Sequence, residues 1–300
     1  MTDLTEQIRQ LKKDRNAVIL AHNYQRGEVQ DIADFVGDSL DLSQKAAATT
    51  ADVIVFCGVH FMAETAAILN PARTVLLPDA GAGCPMANMI NADQLRRKKK
   101  ELPGAAVVTY INSTAEVKAE SDICCTSANG VKIVESLDNE EILFVPDQYL
   151  GQYIATRTGK KMTLWPGYCP THARILPEDI IRLKQEYPRA RVVVHPECRP
   201  EVIALADEAL STSGLCRYAQ RNDVSELIVG TEQGIIHRLK KENPGKKFIP
   251  VSKRAICPNM KLITLEKVLW SLEEMSPQVT VPETIRIRAK AAVDRMLAIV

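Results

Sequence analysis

Three cysteines are followed directly by proline, at Cys84-Pro85, Cys169-Pro170 and Cys257-Pro258, at intervals of 85 and 88 residues in a chain of 300. The chain has 8 Cys and 16 Pro, so chance placement gives roughly 0.4 such steps. Three at near-equal spacing describe a repeat. If each repeat delivers its cysteine to a common axis, the product is a three-thiolate metal site; otherwise the steps are turns in which Cys packs and Pro stops the chain. His172, three residues beyond Cys169, offers a fourth donor for a Cys3His zinc site or, beside a cluster, a neighbouring or substrate-contacting group. The other cysteines weigh less: Cys57, Cys198 and Cys216 fall in core or near-core patterns, and the vicinal pair Cys124-Cys125 is too close for an easy disulfide and reads as packing near the site.

The repeat brings further polar residues into register. A shift of 88 and then 85 superposes His22, Tyr110 and His195, then Tyr24, Asn112 and Glu197, then Ser39, Ser127 and Thr212, and the apolar Phe56, Phe144 and Val229. Only the loop before each cysteine changes length, being three residues shorter in the middle repeat. Polar residues at equivalent strand ends suit a ligand cage. The hydroxyls stand at helix starts, where Ser and Thr either cap the helix or join its positive dipole end in holding an anion, so a ligand with several carboxylate or phosphate groups is expected. Glu197 is the one carboxylate of its aligned set. Facing Tyr24 across a closed site, it makes a plausible proton-transfer pair.

The elements that must position these groups alternate short β-branched runs with amphipathic helical segments, the pattern of parallel sheets covered by helices. First strands are AVILAHNY from Ala17, AAVVTYIN from Ala105 and RVVVHPE from Arg191; second strands are DVIVFCG, EILFVPD and ELIVGTE; third strands are RTVLLPD, KMTLWPG and KKFIPVS. The expected fold class is α/β, with three homologous three-layer domains, each with a small parallel sheet, related by a pseudo-threefold axis. The first repeat, with its N-terminal helix (Leu4 to Lys13), takes 1–90, the second 91–176 and the third 177–261; helices over Leu262 to Leu272 and Pro282 to Ile299 fill 262–300 and pack back on the repeats. Asn91 and Pro177 open the helices that connect one repeat to the next. Ligands of open α/β sheets bind beyond the carboxyl ends of the strands, which places the site between the domains.

Composition narrows the function classes. Lys and Arg together number 38 against 37 Asp and Glu, a net +1, and the basic run Arg96 to Lys100 fits a solvated helix end. Nucleic acid is not an expected partner. The polar N-terminus lacks an apolar signal region and no run approaches the roughly 18 apolar residues of a membrane span, so no membrane partner and a cytoplasmic location are expected, with thiols kept reduced.

The motifs together resemble one enzyme family over all three repeats. They are AHNYQ at Ala21, GDSL at Gly37, CGVHFMAETA at Cys57, LPDAGAGCPM at Leu77, YINS at Tyr110, CCTSAN at Cys124, WPGYCPTH at Trp165, HPEC at His195, STSG at Ser211 and CPNMKLITLEK at Cys257. The chain is similar to the quinolinate synthases, iron-sulfur enzymes of NAD biosynthesis. It is of the type without the C-x-x-C-x-x-C run that longer-tailed members carry at the last cysteine, and Gly130 stands where Ala is expected. The resemblance implies one 4Fe-4S cluster held by Cys84, Cys169 and Cys257, with one open iron acting as a Lewis acid. It implies condensation of iminoaspartate with dihydroxyacetone phosphate, with loss of phosphate and water, and a possible supply of iminoaspartate from an enzyme that produces it. Carried over by position, His22, Ser39, Tyr110, Ile111, Asn112, Ser127, His195, Pro196, Glu197 and Thr212 bind substrate. Glu197 and Tyr24, with His172 as a third, do the acid-base work.

Overall fold

The computed structural model describes residues 3–299. Its strands are β1 (Ala17–His22), β2 (Phe35–Gly37), β3 (Val53–Cys57), β4 (Thr74–Leu76), β5 (Ala106–Tyr110), β6 (Ile123–Cys125), β7 (Glu141–Val145), β8 (Lys161–Leu164), β9 (Arg191–Val194), β10 (Glu208–Ala209), β11 (Glu226–Gly230) and β12 (Lys247–Pro250). They form three four-stranded sheets in one repeated order, β2-β1-β3-β4, β6-β5-β7-β8 and β10-β9-β11-β12. Every pairing is parallel. Helical crossovers cover both faces of such sheets, and β3 and β5 are accordingly buried at every position.

Each sheet thus has one strand more than the three legible in the sequence. The additional strands are the edge strands β2, β6 and β10, of three, three and two residues. Segments this short show no periodicity of their own. What fixes them is an aspartate at an equivalent place in every unit. The carboxylates of Asp34, Asp122 and Asp207 accept the backbone N–H of Ile19, Val107 and Val192 at 2.8, 2.7 and 2.7 Å. The aspartates' own N–H groups donate to the carbonyls of the same three residues at 2.9, 3.1 and 2.8 Å. Each central strand is clasped to its edge strand in the same way three times over.

The three units share one contiguous apolar core, in which the aligned Phe56, Phe144 and Val229 all take part. The chain's end closes over the units that begin it. Helix Leu265–Glu274, capped by Thr264 on the N–H of Lys267, packs against helix Leu4–Asp14. Helix Glu283–Leu297 lies across helix Ala115–Ala119 and β6, burying Ala289, Ala292, Val293 and Met296. No helix among the described residues is long and apolar enough to cross a membrane.

Candidate active site

The first strand of each sheet delivers one polar group to a common cavity: β1 ends at His22, β5 at Tyr110, and His195 follows β9. The cavity encloses about 650 Å³, its mouth included, and Cys84, Cys169 and Cys257 all line it. These three are half-buried, whereas the other five cysteines are fully buried, and all eight are free thiols. Burial pushes the Cys84 thiol up to about 12, and it also raises Cys169 and Cys257. A thiol so placed gives up its proton most readily to a cation, so three lining one space are donors that could hold a soft metal.

Glu197 stands at the centre of the polar network. Its Oε1 accepts from the Tyr110 hydroxyl at 2.5 Å and from Asn112 Nδ2 at 3.3 Å, and its Oε2 lies 2.7 Å from His172 Nδ1. Burial by itself raises the carboxyl, but the His172 imidazole beside it, with hydrogen bonds from His172 and Tyr110, outweighs it and holds Glu197 well below the usual carboxylate range. The ionised carboxylate therefore places the hydrogen of His172 on Nδ1, which also lies 3.1 Å from Cys169 Sγ. His172 Nε2 lies 2.8 Å from Thr231 Oγ1, and Thr231 meets the Tyr24 hydroxyl at 2.5 Å.

This network corrects one expectation. The tyrosine that faces Glu197 directly is Tyr110; Tyr24 reaches the carboxylate only through Thr231 and His172, its hydroxyl lying 3.3 Å from His172 Nε2. Both phenols are raised well above their ordinary value, by burial first and then by the Glu197 charge. His22 and His195 are lowered to about 3, chiefly by burial, and are neutral at pH 7. His195 stacks on His172 with ring centroids 4.8 Å apart, and its Nε2 lies 3.1 Å from Ser127 Oγ.

The hydroxyls also sit differently from a row of helix caps. Asp38 and Ser211 cap helices Ser39–Ala48 and Thr212–Ala219, so Ser39 and Thr212 are first helical residues whose side chains are not engaged in capping. Ser127 lies in the turn before helix Gly130–Glu135, where Thr126 Oγ1 accepts from Ala128 N–H at 3.1 Å. Thr212 Oγ1 accepts from Asn23 Nδ2 at 2.8 Å, joining the first and third units. The positive end of helix Ser39–Ala48 is already answered by the Asp38 carboxylate.

Of the residues expected to bind substrate, Ile111 and Pro196 do not line the cavity; Ile111 packs in the core and its N–H donates to the Cys125 carbonyl at 2.8 Å. Asp38, Phe61, Met62, Met86, Thr126, Thr171, Glu232 and Met260 line it without having been expected. Thr126 could have been found as the neighbour of Ser127 within one motif, whereas Glu232 carries no pattern in the sequence. Lys and Arg are absent from the described lining. Asn112 Oδ1 is buried there without a protein partner.

Comparison with known proteins places these features in a family. Residues 6–298 match the family model described as Quinolinate synthetase A protein. Among curated proteins, the chain is 65% identical over 297 residues to the quinolinate synthase of Dehalococcoides mccartyi strain CBDB1, covering 99% of this chain and 98% of that protein. It is 57% identical over 297 residues to the quinolinate synthase of Methanosarcina barkeri and 58% identical over 297 residues to that of Geotalea uraniireducens, with the same coverage in both.

Proposed function

The chain belongs to the quinolinate synthetase A protein family, and on that premise we propose that it is a quinolinate synthase, a transferase that condenses iminoaspartate with dihydroxyacetone phosphate and releases phosphate and water as quinolinate forms. The observation that carries this reading is the convergence of Cys84, Cys169 and Cys257 on one cavity beside a buried, ionised Glu197. Three soft thiolates fit a 4Fe-4S cluster with one iron free of protein ligands. Such a cluster, when bound, supplies a Lewis acid that polarises substrate oxygen or nitrogen.

The chain's own residues bind and move protons. With Lys and Arg absent from the described lining, carboxylate and phosphate oxygens are held by the hydroxyls of Ser39, Ser127 and Thr212 and by the neutral imidazoles of His22 and His195. Asn112 Oδ1 is an acceptor left for a substrate N–H or O–H. The Ile111 N–H, held by the Cys125 carbonyl, fixes the backbone between Tyr110 and Asn112. Tyr24, kept protonated by burial, serves as acid, and Thr231 and His172 connect it to Glu197, which orients the imidazole and takes up positive charge developing on it.

Anaerobic reconstitution with iron and sulfide tests the reading. The expected product is a brown protein with about four iron atoms per chain that forms quinolinate from dihydroxyacetone phosphate and iminoaspartate generated in place from oxaloacetate and ammonia. A second reading rests on donor atoms of Cys169, His172 and Glu197 lying within 4.8 Å of one another, which suits a single zinc ion. A colourless zinc protein that forms no quinolinate would establish that alternative.

A further inference from the structure

The loop after β11 supports two distant parts of the site at once. Glu232 is fully buried and lines the cavity; its Oε1 accepts the Cys257 backbone N–H at 3.1 Å and lies 3.0 Å from Lys261 Nζ. Its Oε2 accepts the Gly234 N–H at 2.6 Å and lies 3.2 Å from the same ammonium. Lys261 Nζ also donates to the backbone carbonyl of Tyr24. The knot leaves no spare room: a Cβ at Gly234 would come within 2.6 Å of the Tyr24 carbonyl oxygen and 2.7 Å of Lys261 Nζ. Thr231, next in the chain, holds the Tyr24 hydroxyl. Residues 231–234 together with Lys261 thus fix a cysteine that could bind metal and both ends of a tyrosine from another unit.

We propose that Glu232 and Lys261 are positioning residues that fix Cys257 and Tyr24 as a unit, so that retention of the metal group and the setting of the acid are coupled across the first and third units. The inference rests on the cluster reading above. A buried ion pair has to be satisfied on all sides to repay its desolvation. Here the remaining bonds of both partners go to Cys257, Gly234 and Tyr24, so the pair's satisfaction and the site's geometry are the same set of contacts. Partners of this kind are worth about 10- to 100-fold in metal affinity or activity.

The test uses the full chain reconstituted anaerobically, with iron loss to a ferrous chelator followed in the visible spectrum. Lys261→Met and Glu232→Gln are each expected to release iron about tenfold faster than the parent or more. The double variant should be no faster than the worse single, because the two side chains act as one device. Lys261→Met should also lower kcat about tenfold while KM stays within about threefold. Should either single fail to fold because it buries one charge alone, the double variant carries the test, since it removes both charges; it must still release iron about tenfold faster. Parent-like iron loss in the variants overturns the inference. So does iron loss that tracks a lowered melting temperature of the iron-free chain, which would mark a packing role only. A parent chain that takes up no iron and sulfide overturns the cluster reading instead, so the two failures are distinguishable.

Discussion

At Glu197, three hydrogen bonds converge on one carboxylate, and the one with His172 sets a tautomer. Gln at this position can still accept from Tyr110 and Asn112 but turns its amide N–H toward His172 Nδ1. The imidazole then loses the carboxylate that accepts from its Nδ1, and its contact with Thr231 is reset with it. Glu197→Gln is therefore expected to keep the iron and bind a product-like dicarboxylate, yet to lose about 100-fold in kcat. Steady-state kinetics with ligand-induced changes in the visible spectrum checks this; near-parent kcat with weakened binding would move the proton work elsewhere, with Tyr24→Phe next. The buried imidazoles predict a pH effect as well. His22 and His195 are lowered from 6.5 to about 3, so below pH 6.5 the unfolded chain binds protons that the folded chain does not. Their contribution to stability is complete above pH 6.5 and is lost as pH falls toward 3, at up to about 1.4 kcal/mol per pH unit for each. Urea midpoints of the iron-free protein at pH 7 and 5.5 should show the drop, and equal midpoints would contradict it. The sequence made the cysteines legible because their chemistry and spacing coincide. It could not reveal that Tyr110 rather than Tyr24 faces Glu197, because alignment of repeats carries no angle between units. Glu232 and Lys261 were equally hidden, being an ordinary acid and an ordinary base until the turns holding them meet.

Among the elements, the helices over 39–48 and 212–219 separate the residue that caps from the residue that lines the cavity. Asp38 and Ser211 do the capping, while Ser39 and Thr212 face the cavity. Ser211→Ala is expected to cost about 1 kcal/mol of stability. Ser39→Ala keeps its cap, so its expected effect is a raised KM for the acidic substrates, since a hydrogen bond to a charged group is worth roughly 1.5 to 3 kcal/mol. Thr212→Ala should raise KM likewise, with an added stability loss from its bond to Asn23. Kinetics and thermal melts on all three decide the matter; an unchanged KM in Ser39→Ala would remove it from the binding set. The long central strands were legible from β-branched runs, as were the helices between them. The edge strands were not, because β2, β6 and β10 are held by the Asp34, Asp122 and Asp207 clasps rather than by apolar pattern. A three-residue segment has too few positions to declare a period. The clasps were nevertheless present in the sequence at the same shifts of 88 and 85, visible once the hydrogen bonds show what an aspartate does there.

In the whole molecule, the three cysteines come from three units that meet across the cavity through many polar contacts, among them Tyr110 with Glu197, His172 with Glu197 and Thr231, Ser127 with His195, Asn23 with Thr212, and Tyr24 with Thr231. Cys84→Ala, Cys169→Ala and Cys257→Ala are each expected to abolish retention of the cluster, whereas Cys57→Ala and Cys216→Ala are not, since those two thiols are buried away from the cavity. Iron and sulfide analysis decides it, and a full complement in Cys84→Ala would defeat the assignment. Ile299 is tied to the turn that carries Thr126, because Asn129 Nδ2 donates to the Ile299 carbonyl at 3.1 Å while its Oδ1 accepts the Thr126 N–H at 2.8 Å. On the proposed cluster reading, one donor is drawn from each unit and no unit could hold the metal group alone. Binding would then be linked to closure: iron supply would act by mass action on the population of chains, favouring those whose units have come together. In calorimetry the reconstituted protein should melt as one event well above the chelated form, whose units should part at lower temperature over a broader range.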